Sequence, residues 1–347
     1  MGAVEQAHAL GAWAHCYLMA EQAHYYFRVR SHLRDWERTH RLALHAARSA
    51  GDRTAEGWTL RNLGNALQDQ GRYAEAVECF QTSAAVFADA GNQLGRAAAL
   101  CNLGETYLTQ GRFAQAMEYL DLCLPGWVAS SDRVGVAYTL DNLGFVHLRR
   151  GDFAQAESYL ARGLAAFREL GDRFGEAHSL CRRAELHSER GSPEAAADDL
   201  RRSSQIFAAM ASPTGQAWSM LGLSRVLRRQ DRAAEALAEA TRSVRVFQDH
   251  GDVRAGALAM IEVGLALRHL GRGREARAVL EQSAERLRSI GDEFGAALAV
   301  YRLGQAEATD ADPRAAGHLE IAAAAFDRLA SAHWRRRALD DLARARR

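Results

Sequence analysis

An asparagine returns at 40-residue steps in this sequence, at Asn62, Asn102 and Asn142. A side-chain amide carries both a donor and an acceptor. A row of such amides can therefore bridge the backbone of an extended peptide without reading its side chains. The same position continues as Arg182, Gly222, Glu262 and Arg302, so amides give way to charge along the chain. The alternative role for the amides is a bond to a neighbouring helix. Other chemistries lack their reagents. The sequence has no lysine, so all 44 basic residues are arginine. That excludes a Walker-type phosphate loop, Schiff-base chemistry and a lysine general base. There is no Gly-x-Ser-x-Gly elbow, no His-Glu-x-x-His helix and no calcium loop. The 13 histidines are scattered. His147 and His187 share one repeat position, which reads as buried or groove imidazoles rather than a metal pair. Five cysteines, Cys16, Cys79, Cys101, Cys123 and Cys181, form no CxxC pair and read as small buried hydrophobes of a reduced compartment. Carboxylate pairs such as Asp340-Asp341 read as solvated. The expectation is a binding protein with no catalytic residues, no cofactor and no metal.

The elements that position these residues are legible from the period itself. Gly51-Asp52, Gly171-Asp172, Gly251-Asp252 and Gly291-Asp292 open equivalent units, with Gly91-Asn92 and Ser131-Asp132 in the same slot. Leu63-Gly64 recurs as Leu103-Gly104, Leu143-Gly144, Val263-Gly264 and Leu303-Gly304, and Ala76 recurs in every later unit through Ala316. Phe80 and Phe87 continue an apolar stripe on the second helix. The opening Asp caps a helix, and the Gly before it takes the positive φ that ends the previous one. Ser192-Pro193 and Ser212-Pro213 are expected to cap with serine and begin the helix with proline. Gly64 and Ala76 are expected to face each other where two helices cross. Pro125-Gly126 falls inside a second helix and is expected to bend or split it. The reading is all-α: a degenerate opening hairpin over 1–50, seven hairpins of about 40 residues over 51–329, and a closing helix over 330–347. Arg335, Arg336, Arg337, Arg344, Arg346 and Arg347 are expected to give that last helix a wet outer face. A net charge of +1 argues against direct nucleic-acid binding. The absence of a signal-peptide pattern or a long apolar run implies no membrane partner and a cytoplasmic location.

The pattern over 51–329 resembles the tetratricopeptide repeat (TPR) family in a 40-residue form. Leu63-Gly64, the ring at Tyr107, His147 and His187, Ala76, and Phe80 with Phe87 carry the likeness. The stretch from Asp35 to Phe80 is similar to the C-terminal arrays of actinobacterial NB-ARC/TPR regulators of the AfsR type. The resemblance implies a right-handed superhelical solenoid of antiparallel helix hairpins. Its first helices would line a concave groove that binds a protein or peptide segment. It also implies an upstream NB-ARC-like ATPase as a possible partner, and a sensor role for a small ligand or signalling peptide as the alternative. In that frame the groove residues are Asn62, Asn102, Asn142, Trp58, Tyr138, Trp218, Asn65, Phe145, Arg149, Arg182, Arg225 and Arg229. An extended segment is expected to be anchored on the asparagines, with its acidic part over Arg182, Arg225 and Arg229. The competing roles are packing between hairpins for the tryptophans and plain solvation for the arginines.

Overall fold

The computed structural model describes residues 2–29 and 32–346, and every regular element among them is helical. Unit one comprises Met1–Tyr107 with Gln115–Val136, and unit two comprises Leu108–Ala114 with Ala137–Arg347. Along the chain come α1 (Gly2–Ala9), α2 (Trp13–Val29), α3 (Leu33–Ser49), α4 (Arg53–Asp69), α5 (Tyr73–Asp89), α6 (Gln93–Thr109) and α7 (Phe113–Ala129). Then follow α8 (Arg133–Arg150), α9 (Phe153–Leu170), α10 (Arg173–Glu189), α11 (Pro193–Ala209), α12 (Pro213–Arg229) and α13 (Ala233–Asp249). The last are α14 (Val253–His269), α15 (Gly273–Ser289), α16 (Glu293–Thr309), α17 (Ala315–Arg328) and α18 (Ala332–Ala345). The opening 50 residues thus hold a short extra helix before the α2/α3 pair. Most helices have 17 residues, as α4 and α5 do, about 25 Å long. Three-residue turns complete the 40-residue period.

The helix boundaries follow from local chemistry. Asp52 accepts from the Ala55 N–H at 2.9 Å, and Asp172, Asp252 and Asp292 repeat the cap on their own helices. Ser212 caps α12 from 3.3 Å, whereas Ser192, with ψ near 71°, makes no such bond. Ser192-Pro193 therefore starts α11 through the fixed φ of the proline alone. The helix α7 runs unbroken through Pro125 to Ala129. Pro125 and Asp121, whose carbonyl loses its partner, are both exposed, so the orphaned acceptor is not sealed in the core. The expected split is absent for that reason.

The close helix crossings set the glycine series against the alanine series as expected, a Cβ at Gly104 lying 3.2 Å from the Ala116 carbonyl oxygen, and they also admit a large side chain. A Cβ added at Gly64 would sit 2.6 Å from the Phe80 ring, and Gly104 and Gly144 stand in the same way against Leu120 and Leu160. The glycine makes room for the large side chain one turn beyond Ala76, while Ala76 itself is fully buried. A second glycine series does the same between hairpins. The Phe87 ring is held between Gly57 on α4 and Gly95 on α6, either of which would clash with it if it carried a Cβ. Gly175 and Gly215 receive Phe167 and Phe207 likewise.

In unit one, α3 buries Trp36 and His40 side by side. The His40 Nδ1 lies 3.0 Å from the Trp36 carbonyl, which requires the proton on Nδ1, and the buried Nε2 has no partner. Burial disfavours the imidazolium and lowers His40 to about 4. The folded state therefore binds fewer protons than the unfolded chain between pH ~6.5 and ~4, and stability falls as pH drops through that window. A pH titration of urea unfolding followed by tryptophan fluorescence should show this loss, and His40→Leu should flatten it. An unchanged pH slope in that variant would refute the assignment.

In unit two the chain meets itself across long sequence separations. Phe294, in the first turn of α16, places its Cβ where a side chain at Gly111 would be, and its ring lies 5.3 Å from Phe113. One hairpin on, His333 in α18 does the same at Gly151, with its ring 5.4 Å from Phe153. Ser331 donates to the Arg149 carbonyl at 3.1 Å and Arg337 pairs with Glu189 at 3.2 Å. The helix α18 thus occupies a first-helix place and buries Trp334, Ala338 and Leu342. Arg335, Arg336, Arg344 and Arg346 are exposed as expected, Arg337 is not, and Arg347 lies outside the described residues.

Candidate functional site

The predicted groove residues all fall on first helices, and the structure gives most of them partners. In unit one, Asn102 on α6 donates its amide to Asn65 on α4. Beside it Thr106 donates to Gln68 at 2.5 Å. Asn62 is 3% exposed, and its Oδ1 has no donor. Trp58 meets the Phe87 ring edge to face at 5.0 Å, under the Arg61 guanidinium. Tyr138 and Trp218 in unit two meet Phe167 and Phe247 at 4.8 and 5.1 Å. All three aromatic residues thus pack on the framework ring of their own hairpin.

Unit two brings the charged residues together. Arg182 on α10 donates to Asp141 at 2.6 Å and to Asn142 at 2.8 Å, both on α8. The guanidiniums of Arg149 and Arg182 both lie over the Phe145 ring, 4.5 and 4.7 Å from its centre. Arg149 pairs with Glu185 at 2.7 Å. Arg225 bridges Glu185 and Glu262 at 3.3 and 2.9 Å, and Arg229 pairs with Glu189 at 2.8 Å. The arginines expected to await an acidic segment are thus already ion-paired. Burial alone would raise the Glu262 carboxyl, but Arg225 and Arg228 outweigh it and hold it down at about 2. Glu189 is held low in the same way, against burial, by Arg229 and Arg337. Burial lowers Arg302 to about 10, because its surroundings offer rings and an amide in place of a carboxylate.

Glu262 was expected at the asparagine position with no role as a counter-charge, and none was foreseen for Asp141, Glu185 or Glu189. The signal was present. Arg149, Glu189 and Arg229 alternate in sign at 40-residue steps. Adjacent first helices present residues 40 or 37 apart to one another, as in Arg229–Glu189 and Arg225–Glu262. Among the described residues there is no group of three or more His, Cys, Asp or Glu that could hold a metal ion. No helix among them is long and apolar enough to cross a membrane.

Comparison with known proteins agrees with this geometry. Tetratricopeptide repeat models match residues 55–126, 135–209 and 257–282. No curated protein matches the chain in sequence. Among solved structures, a Rap conjugation gene regulator of the plasmid pLS20, in complex with the Phr* peptide, superposes with a TM-score of 0.69. The two are 15% identical over 82% of this chain and 77% of that one. A Rap protein complexed with Competence and Sporulation Factor gives 0.65 at 11% identity, over 95% and 99%. A STAND protein with a tetratricopeptide repeat sensor from Pyrococcus horikoshii gives 0.55 at 13% identity, covering 88% of this chain and 49% of that one, so the chain spans about half its length. At such identities the likeness is one of fold. With the repeat models, the hairpin periodicity and the glycine-clamped crossings in agreement, the chain is a tetratricopeptide-repeat protein.

Proposed function

We propose that this chain is the interaction module of a regulatory protein and that its first-helix faces hold an extended peptide segment. The observation that carries the reading is the chemistry of those faces. Amides and guanidiniums on adjacent first helices exchange hydrogen bonds at offsets of 37 and 40 residues. Packed helices lie about 8–10 Å apart, and an extended chain advances about 3.3 Å per residue. A peptide crossing the helices would therefore meet one such polar position about every three residues. The Rap neighbours, which were solved with a Phr* peptide and with Competence and Sporulation Factor, support a peptide as the ligand. The STAND neighbour with its repeat sensor supports the second reading, in which the array senses a signal for an attached NB-ARC-like ATPase. A cytoplasmic setting and the division into an opening hairpin, seven repeats and a closing helix belong to the same proposal.

The test uses a fluorescein-labelled pool of random heptapeptides and fluorescence anisotropy. Asn62 and Asn142 are only 3% and 4% exposed, out of a peptide's reach, so the test variant is Asn102→Ala, which should weaken binding about fivefold, at about 1 kcal/mol for the lost bond. Unchanged affinity in a variant that keeps its helical circular dichroism would sink the asparagine anchor.

A further inference from the structure

The charged interior of unit two is unevenly satisfied, and two of its buried guanidinium nitrogens, Arg228 Nε and Arg302 Nε, lack an acceptor. Arg268 on α14 is half-buried, yet no carboxylate among the described residues stands within ion-pair distance of it. It lines a cavity of about 300 Å³ together with Gln305, Thr309, Asp341 and Arg344. The one carboxylate in that lining is spent. Asp341 accepts from Tyr301 and Gln305 at 2.7 Å each and pairs with Arg344 at 3.0 Å. Arg302 is outside that lining but touches it. It donates to Gln305 at 2.9 Å, its face lies against Tyr301 and Trp334, and its buried Nε has no acceptor. Arg228 occupies the position of Arg268 one hairpin earlier. Its Nε is also buried without an acceptor, and it shares Glu262 with Arg225 at 3.4 Å. Arg268 and Arg302 each stand close enough to Arg228 to be repelled by it, and among the described residues Glu262, shared with Arg225, is the one carboxylate within ion-pair distance of any of the three.

We propose that this cavity binds a carboxylate of the peptide segment. Arg268 would take it in a two-pronged contact, with Arg302 and Arg228 supplying the field behind it. Guanidinium suits this role because its planar fork matches both oxygens of a carboxylate. The proposal rests on the peptide reading and moves the acidic anchor away from Arg182, Arg225 and Arg229, which are neutralised within the unit. The carboxylate comes either from an aspartate or glutamate side chain or from the peptide C-terminus.

Three matched fluorescein-labelled heptapeptide pools test it on the full chain. One has a central Glu and an amidated end, one a central Gln and an amidated end, and one a central Gln and a free C-terminal carboxylate. The parent should prefer one of the two acidic pools by about tenfold, and that pool identifies the source. Arg268→Gln should remove the preference while leaving the amidated Gln pool bound as before, and Arg302→Gln should reduce it. If the pools bind equally to the parent, the site is wrong although peptide binding stands. A preference that survives intact in both variants lies elsewhere and overturns the proposal. Loss of the preference to inorganic phosphate, with the Gln pool still bound, would make this a phosphate site and reject the carboxylate. If no pool binds at all, the peptide reading falls and this one falls with it.

Discussion

Glu262→Ala is expected to destabilise unit two by about 3–5 kcal/mol, because it strips the shared counter-charge from two arginines that stay buried. Glu262 is 5% exposed and holds Arg225 at 2.9 Å and Arg228 at 3.4 Å. Arg225 keeps Glu185 as a second partner, but Arg228 keeps none within ion-pair distance among the described residues. The main loss therefore falls on Arg228, whose Nε already lacks an acceptor. Urea unfolding at neutral pH measures the effect. The pH dependence has a definite sign. The carboxyl sits at about 2 in the folded protein, well below the ordinary glutamate range. Its contribution is thus complete above about pH 4.5 and is lost as pH falls from there toward 2, about 3 kcal/mol in all. Glu262→Gln keeps the shape and removes the charge, so its unfolding free energy should no longer fall across that window. A Glu262→Gln protein as acid-sensitive as the parent between pH ~4.5 and ~2 would contradict the assignment.

The parts of the molecule that each hairpin settles alone were readable from the letters, and the parts that neighbouring hairpins settle together were not. Asp52, Asp172 and Asp252 cap their helices because a cap is a contact over three residues, and a period of 40 displays it repeatedly. Gly95, Gly175 and Gly215 also recur at fixed steps, yet their purpose depends on a ring eight residues earlier on another helix. The seat of Phe80 over Gly64 went unforeseen for the same reason, since the ring is one turn further along than the alanine that marks the crossing. In the candidate site the expected residues do lie on first helices. Their satisfaction was invisible, because whether Arg225 is free or paired depends on Glu185 and Glu262 on the two flanking helices. Spacing by itself reveals such pairs once the 37- and 40-residue offsets are known.

Nothing in the repeat pattern announced the seam in unit two, and its size can be measured by comparing equivalent glycines. Gly111, Gly191 and Gly271 occupy the same turn and share a φ of 75° to 79°. Alanine at any of them pays for a left-handed backbone, about 1–2 kcal/mol. At Gly191 and Gly271 the added methyl meets nothing within 4 Å, whereas at Gly111 it would lie 2.3 Å from the Phe294 Cβ and 3.1 Å from the Phe294 nitrogen. Backbone atoms cannot rotate aside, so Gly111→Ala must either push the two turns apart or distort one of them, for about 1–3 kcal/mol more. The expected order in urea unfolding is that Gly191→Ala and Gly271→Ala cost alike and Gly111→Ala costs about twice as much. Phe294→Ala removes the Phe113 contact but leaves the clashing Cβ in place, so the excess at Gly111 should survive it. Phe294→Gly removes the Cβ too and should erase most of that excess, a coupling read directly from the double-mutant cycle. Equal costs at all three glycines would mean that the turns around Gly111 and Phe294 do not meet in solution. The same contact made again between Gly151 and His333 gives the seam two equivalent points of attachment.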